Sequence, residues 1–81
     1  MCFVVLLRAV QRPRYRKVFG EAIRGYRKRA GLTQEKLAEL AGMHHNFIGE
    51  VERGNMECSL TSMVKIAKAL DVRVSDLVRE V

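Results

Sequence analysis

A single glycine, Gly42, stands between two short segments that each repeat their apolar residues at helical spacing, and this limits the fold more than any other feature of the sequence. Before it, Leu37, Ala38, Leu40 and Ala41 follow Thr33, a good N-cap, although Lys36 occupies the place where Glu or Gln would complete a capping box. After it, Phe47, Ile48 and Val51 form the apolar side of a helix expected over residues 44–53 and closed by Gly54. Two helices joined by so short a turn must cross close together. Ala38 is small enough to let the later helix pass over the earlier one, Gly42 can take the left-handed backbone of a sharp turn, and Ile48 with Val51 anchors the later helix on a core. One face of that later helix is then left free.

The flanking sequence supplies the core. Phe19, Ala22, Ile23, Tyr26 and Ala30 make the stripe of an amphipathic helix that ends at Gly31. Ser59 caps a further helix whose Leu60, Met63, Val64, Ile66, Ala67 and Leu70 form the most hydrophobic stripe of the chain, and Asp71 then turns the backbone. Ser75 is expected to cap a last short helix, Asp76 to Glu80, with Leu77 and Val78 available for packing. No alternating strand pattern competes beyond residue 17, so the expected fold class is all-α, a five-helix domain over residues 18–81.

Residues 1–17 read as an N-terminal extension. Phe3, Val4, Val5, Leu6 and Leu7 have strand propensity, Pro13 is expected to break any helix, and Arg8, Arg12, Arg14, Arg16 and Lys17 make the segment basic. Three arrangements stay open for it: a β-arm pairing with its counterpart in a dimer, a flexible arm that touches nucleic acid, or a disordered tail.

At 81 residues and 48% hydrophobic composition, one small ordered core is expected and a large substrate cleft is not. The net charge of +6 is unevenly spread: residues 8–29 hold nine basic side chains against Glu21, a local +8, whereas residues 30–81 hold six bases and eight acids. A polyanionic partner suits that distribution. Cys2 and Cys58 are too few for a disulfide framework and lack zinc-site spacing, which fits reduced thiols in a cytoplasm. His44 and His45 are adjacent, so on a helix they are expected to diverge, and no metal site is expected. The apolar run from Met1 to Leu7 is too short to span a bilayer, and no cofactor or small-molecule ligand is evident. Nor is there a nucleophile, base and oxyanion-donor set, since Cys58 has no evident partner histidine; an enzyme is not expected.

These residues in register resemble the Cro and phage-repressor-like (XRE-type) helix-turn-helix family of DNA-binding regulators. The resemblance runs through Ile23-Arg24, Arg27, Gly31-Leu32-Thr33-Gln34, Leu37-Ala38, Gly42, Phe47-Ile48, Glu50-Val51-Glu52-Arg53-Gly54, Ser59-Leu60 and Ile66-Ala67-Lys68-Ala69-Leu70. It implies a helix-turn-helix over residues 34–53, a homodimer on a two-fold-related operator in double-stranded DNA, and the third helix in the major groove. It further implies that His44, His45, Asn46 and Glu50 read base edges, that Gln34, Arg27, Arg53 and Asn55 touch phosphates, and that Arg27 and Glu52 form a structural ion pair. Leu77 and Val78, with Phe3 and Val5 of the extension, are the expected dimer contacts.

The sequence departs from the family pattern at His44, where Ser or Thr usually caps the helix, at Cys58, where Pro is common, and at Asp71, where Gly is usual. The functional expectation is a cytoplasmic transcription regulator of the phage-repressor, Cro or restriction-modification controller type. The rival is an antitoxin or another protein-interaction module that retains the fold, a reading favoured by the apolar start of the chain.

Overall fold

The computed structural model describes the backbone of residues 2–80 and the side chains of residues 15–80. The described residues form five helices and no strand: α1 (Cys2–Arg29), α2 (Gln34–Ala41), α3 (His45–Glu52), α4 (Leu60–Leu70) and α5 (Val74–Leu77). Helix α1 packs on α3 and α5, α2 packs on α3 and α4, and α5 closes against α4.

Local chemistry explains most of the boundaries. The Thr33 hydroxyl accepts from the Lys36 amide at 3.0 Å and the Ser59 hydroxyl from the Ser62 amide at 3.2 Å, each satisfying an amide that the first turn leaves without a partner. Helix α2 ends at Gly42, whose φ of 68° is the left-handed conformation that a Cβ would oppose. Asp71 takes the same conformation at the end of α4, with φ 59°, and is the only non-glycine among the described residues to do so. The start of α5 differs from expectation. Arg73 is its N-cap, and the Arg73 amide donates to Asp76 at 3.0 Å, so the carboxylate in the first turn takes over the role expected of Ser75.

The core draws on every helix: Phe19 and Ile23 from α1, Leu37, Ala38 and Ala41 from α2, Ile48 and Val51 from α3, Ile66, Ala67 and Leu70 from α4, and Leu77 from α5. Burial of each large aliphatic side chain contributes about 1.5–3 kcal/mol. Leu40 and Leu60 stay outside, 53% and 70% exposed, because each lies at the margin of its helix's apolar stripe. Leu77 corrects an expectation in the opposite direction. At 1% exposure it is a core residue and not a dimer contact, because α5 turns back over α1 and α4 and points this side chain inward; Val78 is half-buried beside it.

The largest difference concerns the extension. Helix α1 runs without interruption from Cys2 through Pro13, so the segment is helical and neither a β-arm nor a chain broken at the proline. Arg8, Ala9, Gln11, Arg12, Arg14, Arg16 and Lys17 are strong helix formers, and a proline removes one amide donor from a 28-residue helix. The expected dimer contacts Phe3 and Val5 lie outside the residues whose side chains are described.

Candidate nucleic-acid interface

The position of α3 is set from below by α1. Gly20 is buried where the two helices meet, and a Cβ there would stand 2.3 Å from the carbonyl oxygen of Val51 and 2.6 Å from that of Glu52. Only a residue without a side chain permits this approach. Beside it, Arg27 and Glu52 join α1 to α3 through a two-bond fork. Arg27 Nε donates to Glu52 Oε2 at 2.6 Å and Nη2 to Oε1 at 3.1 Å, while Nη1 donates to the Leu32 carbonyl at 2.9 Å. Both side chains are nearly out of solvent, 11% and 3% exposed. A paired and fully hydrogen-bonded arrangement of this kind fixes geometry more than it adds stability.

Gln34, the first residue of α2, extends the network: its Nε2 donates to Glu52 Oε1 at 3.0 Å. Gly49, in the middle of α3, leaves room for it. A Cβ at Gly49 would meet the Arg53 guanidinium at 3.4 Å and Gln34 Oε1 at 3.5 Å, so both polar groups lie directly on the α3 backbone. Arg53 also donates to Glu50 Oε1, and Asn55 Nδ2 donates to Glu50 Oε2 at 3.1 Å. The Arg53 hydrogen bond, then that from Asn55, holds the Glu50 carboxyl below its ordinary pKa.

The start of α3 points outward. His44 is its N-cap in extended backbone, with Nδ1 accepting from the Asn46 amide at 3.2 Å, so an imidazole does what a Ser or Thr hydroxyl does at an ordinary N-cap. That leaves Nε2 as its free polar atom. The rings of His44 and His45 stack with centroids 4.7 Å apart, contrary to the expected divergence, because only His45 is helical. His44, His45 and Asn46 are all exposed, whereas Ile48 and Val51 of the same helix are buried. An exposed polar start on a helix with a buried apolar back is the arrangement that lets a helix present side chains to base edges.

The eight residues expected to touch DNA thus fall into three situations. His44, His45 and Asn46 lie together on the free start of α3. Gln34, Arg53 and Asn55 border a groove of about 610 Å³ between α1 and the α2–α3 pair. Glu50 and Arg27 are engaged within the protein: Glu50 has both oxygens occupied by Arg53 and Asn55, and Arg27, at 9% exposure, is the partner of Glu52 and of a backbone carbonyl. Glu50 therefore organises its neighbours in this geometry, and Arg27 has little surface for a phosphate. Sequence reasoning missed Gly20 and Gly49. Each interrupts a helical segment where alanine would be the better helix former, and that interruption was the available signal.

Comparison with known proteins agrees with this fold. Residues 23–77 match the family model described as Helix-turn-helix (HTH_3). The chain belongs to the helix-turn-helix (HTH_3) family. It is 39% identical over 62 residues to Control protein C.SmaI of Serratia marcescens, which spans 76% of this chain and 74% of that protein. Identity to Control protein C.BamHI of Bacillus amyloliquefaciens is 40% over 63 residues, covering 76% of this chain and 78% of the relative. Among solved structures, the restriction-modification controller protein C.AhdI from Aeromonas hydrophila superposes with a TM-score of 0.76 at 40% identity, over 76% of this chain and 94% of that one.

Proposed function

We propose that this protein is a transcription regulator of the restriction-modification controller type that binds a two-fold-related operator as a homodimer and reads bases with the start of α3. DNA-binding transcription regulation, without enzymatic activity, is the business of the family to which the chain belongs. The controller assignment is supported by two control-protein relatives near 40% identity and by the fold shared with a controller over almost that protein's whole length. One observation carries the site: His45 and Asn46 are exposed on a helix whose opposite side is fixed by Ile48, Val51 and the buried Arg27–Glu52 pair.

In this reading His45 and Asn46 contact base edges, with His44 Nε2 alongside them, while Gln34, Arg53 and Asn55 take phosphate oxygens from the bordering groove. Glu50 holds Arg53 and Asn55 in place. Val78 and the N-terminal segment remain the dimer surface, and residues 18–81 form the DNA-binding unit to which that segment is attached. The regulator acts in the cytoplasm, and no helix among the described residues is long and apolar enough to cross a membrane.

Selection of bound duplexes from a random pool tests the reading. The expected product is a site with two-fold symmetry and half-sites about 34 Å apart along one face of the DNA. Recovery of no preferred sequence would instead favour a protein-interaction module such as an antitoxin. Sedimentation at tens of micromolar should give a dimer; a monomer at that roughly chosen concentration argues against the two-fold operator.

A further inference from the structure

The groove between α1 and the α2–α3 pair carries positive charge that the helix-turn-helix itself does not supply. Lys17 and Arg24 lie on the same side of α1 two turns apart, and both line the groove bordered by Gln34, Arg53 and Asn55. Four cations, Lys17, Arg24, Arg27 and Arg53, face two acids there, Glu21 and Glu52, a formal balance of +2. Two of those cations already have a carboxylate partner, Arg27 in Glu52 and the more exposed Arg53 in Glu50. Lys17 and Arg24 are exposed and, among the described residues, have no ion-pair partner, Glu21 included.

A second observation fixes Lys17 relative to the recognition helix. Gly54, just after α3, lies so close to α1 that a Cβ on it would stand 3.0 Å from the Lys17 Cα and 3.2 Å from its amide nitrogen. The chain leaving α3 is therefore seated on the α1 backbone at Lys17. Lys17 thus lies beside Arg53 and Asn55, the two residues that flank Gly54 and line the same groove.

We propose that Lys17 and Arg24 are DNA-backbone contacts, which turn the groove into a clamp on the strand bordering the recognition helix; the proposal rests on the DNA-binding reading above. Arg24 presents a planar fork that can take two oxygens of one phosphodiester, and Lys17 adds a compact charge to its neighbour. An open groove with separated cations suits the repeated single charges of a nucleic-acid backbone better than one small dianion. Such contacts raise affinity for every sequence and carry no sequence information.

The experiment measures binding of the full chain to its selected operator and to a mixed-sequence duplex across a salt series. The Lys17→Gln/Arg24→Gln double variant is compared with wild type, with the charge-conserving Lys17→Arg/Arg24→Lys variant, and with Lys68→Gln, which removes an exposed charge on α4 outside the groove. The expected result for the double variant is a salt dependence shallower by about 0.9 per lost phosphate contact, and weakening by about threefold to tenfold per contact on both duplexes. The selected sequence should stay the same, the charge-conserving variant should retain the wild-type slope, and inorganic phosphate should compete no better than its ionic strength dictates. An affinity and slope no different from Lys68→Gln, at an unchanged melting temperature, overturns the proposal while leaving the DNA-binding reading intact. Failure of the wild type to bind any duplex overturns both. Specific competition by inorganic phosphate would show a small-anion site in place of the clamp.

Discussion

Gly20 of α1 touches the end of α3 at backbone distance, with its Cα turned so that any Cβ would stand 2.3 Å from the Val51 carbonyl oxygen. Because the obstructing atoms are backbone, a side chain at this position cannot be relieved by a rotamer change; α3 must move.

Gly20→Ala should therefore lower stability by about 2–4 kcal/mol in urea unfolding, despite alanine's better helix propensity. Gly25 is the internal control. It lies in the same helix with no atom near a prospective Cβ, so Gly25→Ala should raise stability by about 0.5–1 kcal/mol. Equal effects from the two substitutions would show that the contact at Gly20 does not set the helix spacing.

Glu52→Gln removes the charge that satisfies Arg27 in a site almost closed to solvent. An uncompensated buried guanidinium should cost about 2–4 kcal/mol, read as a fall in melting temperature. Replacing both partners, Arg27→Met with Glu52→Leu, should recover part of that loss because no buried charge is then left alone. An unchanged melting curve for Glu52→Gln would mean that the pair contributes no net stability and serves orientation alone.

Burial pushes the Cys58 thiol up to about 11, against the smaller opposing effect of its hydrogen bond with Ser62. Its folded pKa exceeds the ordinary value of 9.0, so the stabilising contribution is complete below pH 9 and is lost as pH rises towards 11. In a Cys2→Ser background, alkylation of Cys58 should be slow at pH 8, rise about tenfold per pH unit and level off only near pH 11. Rapid labelling at pH 8 would contradict a half-buried thiol that stays protonated there.

Much of the fold was legible in the sequence because helical spacing and turn chemistry are local. Ile23, Leu37, Ile48, Val51 and Ile66 fall on apolar stripes, Gly42 ends α2, and Asp71 turns the chain, all readable within a few residues. What was not legible depends on distant partners. Gly20 is required by carbonyls at the far end of α3, and the outward Leu40 and inward Leu77 are decided by which neighbouring helix covers each position. His44 and His45 stack because the helix begins between them, a boundary effect that a purely helical projection cannot contain. In the candidate site, the residue types on the start of α3 were readable, but the engagement of Glu50 by Arg53 and Asn55 was not, since it requires the chain after α3 to fold back on the helix.

The last prediction separates positioning from reading. Gln34 lies at the edge of the groove and is held by Glu52, so Gln34→Ala should weaken operator binding while leaving the preferred sequence unchanged. His45 and Asn46 are exposed on the start of α3, and the loss of either side chain should relax preference at one position in each half-site, costing roughly 1–3 kcal/mol for the matched base. Glu50→Gln should behave differently from both. Because its carboxylate organises Arg53 and Asn55, the substitution should disturb the two proposed phosphate contacts together, so affinity and salt dependence change and the selected sequence does not. In a dimer every altered base position must appear twice, related by the operator's symmetry. Selection experiments on the four variants measure all of this. If His45→Ala and Asn46→Ala both recover the wild-type operator at undiminished affinity, the start of α3 does not read bases and the proposed docking of this helix is wrong.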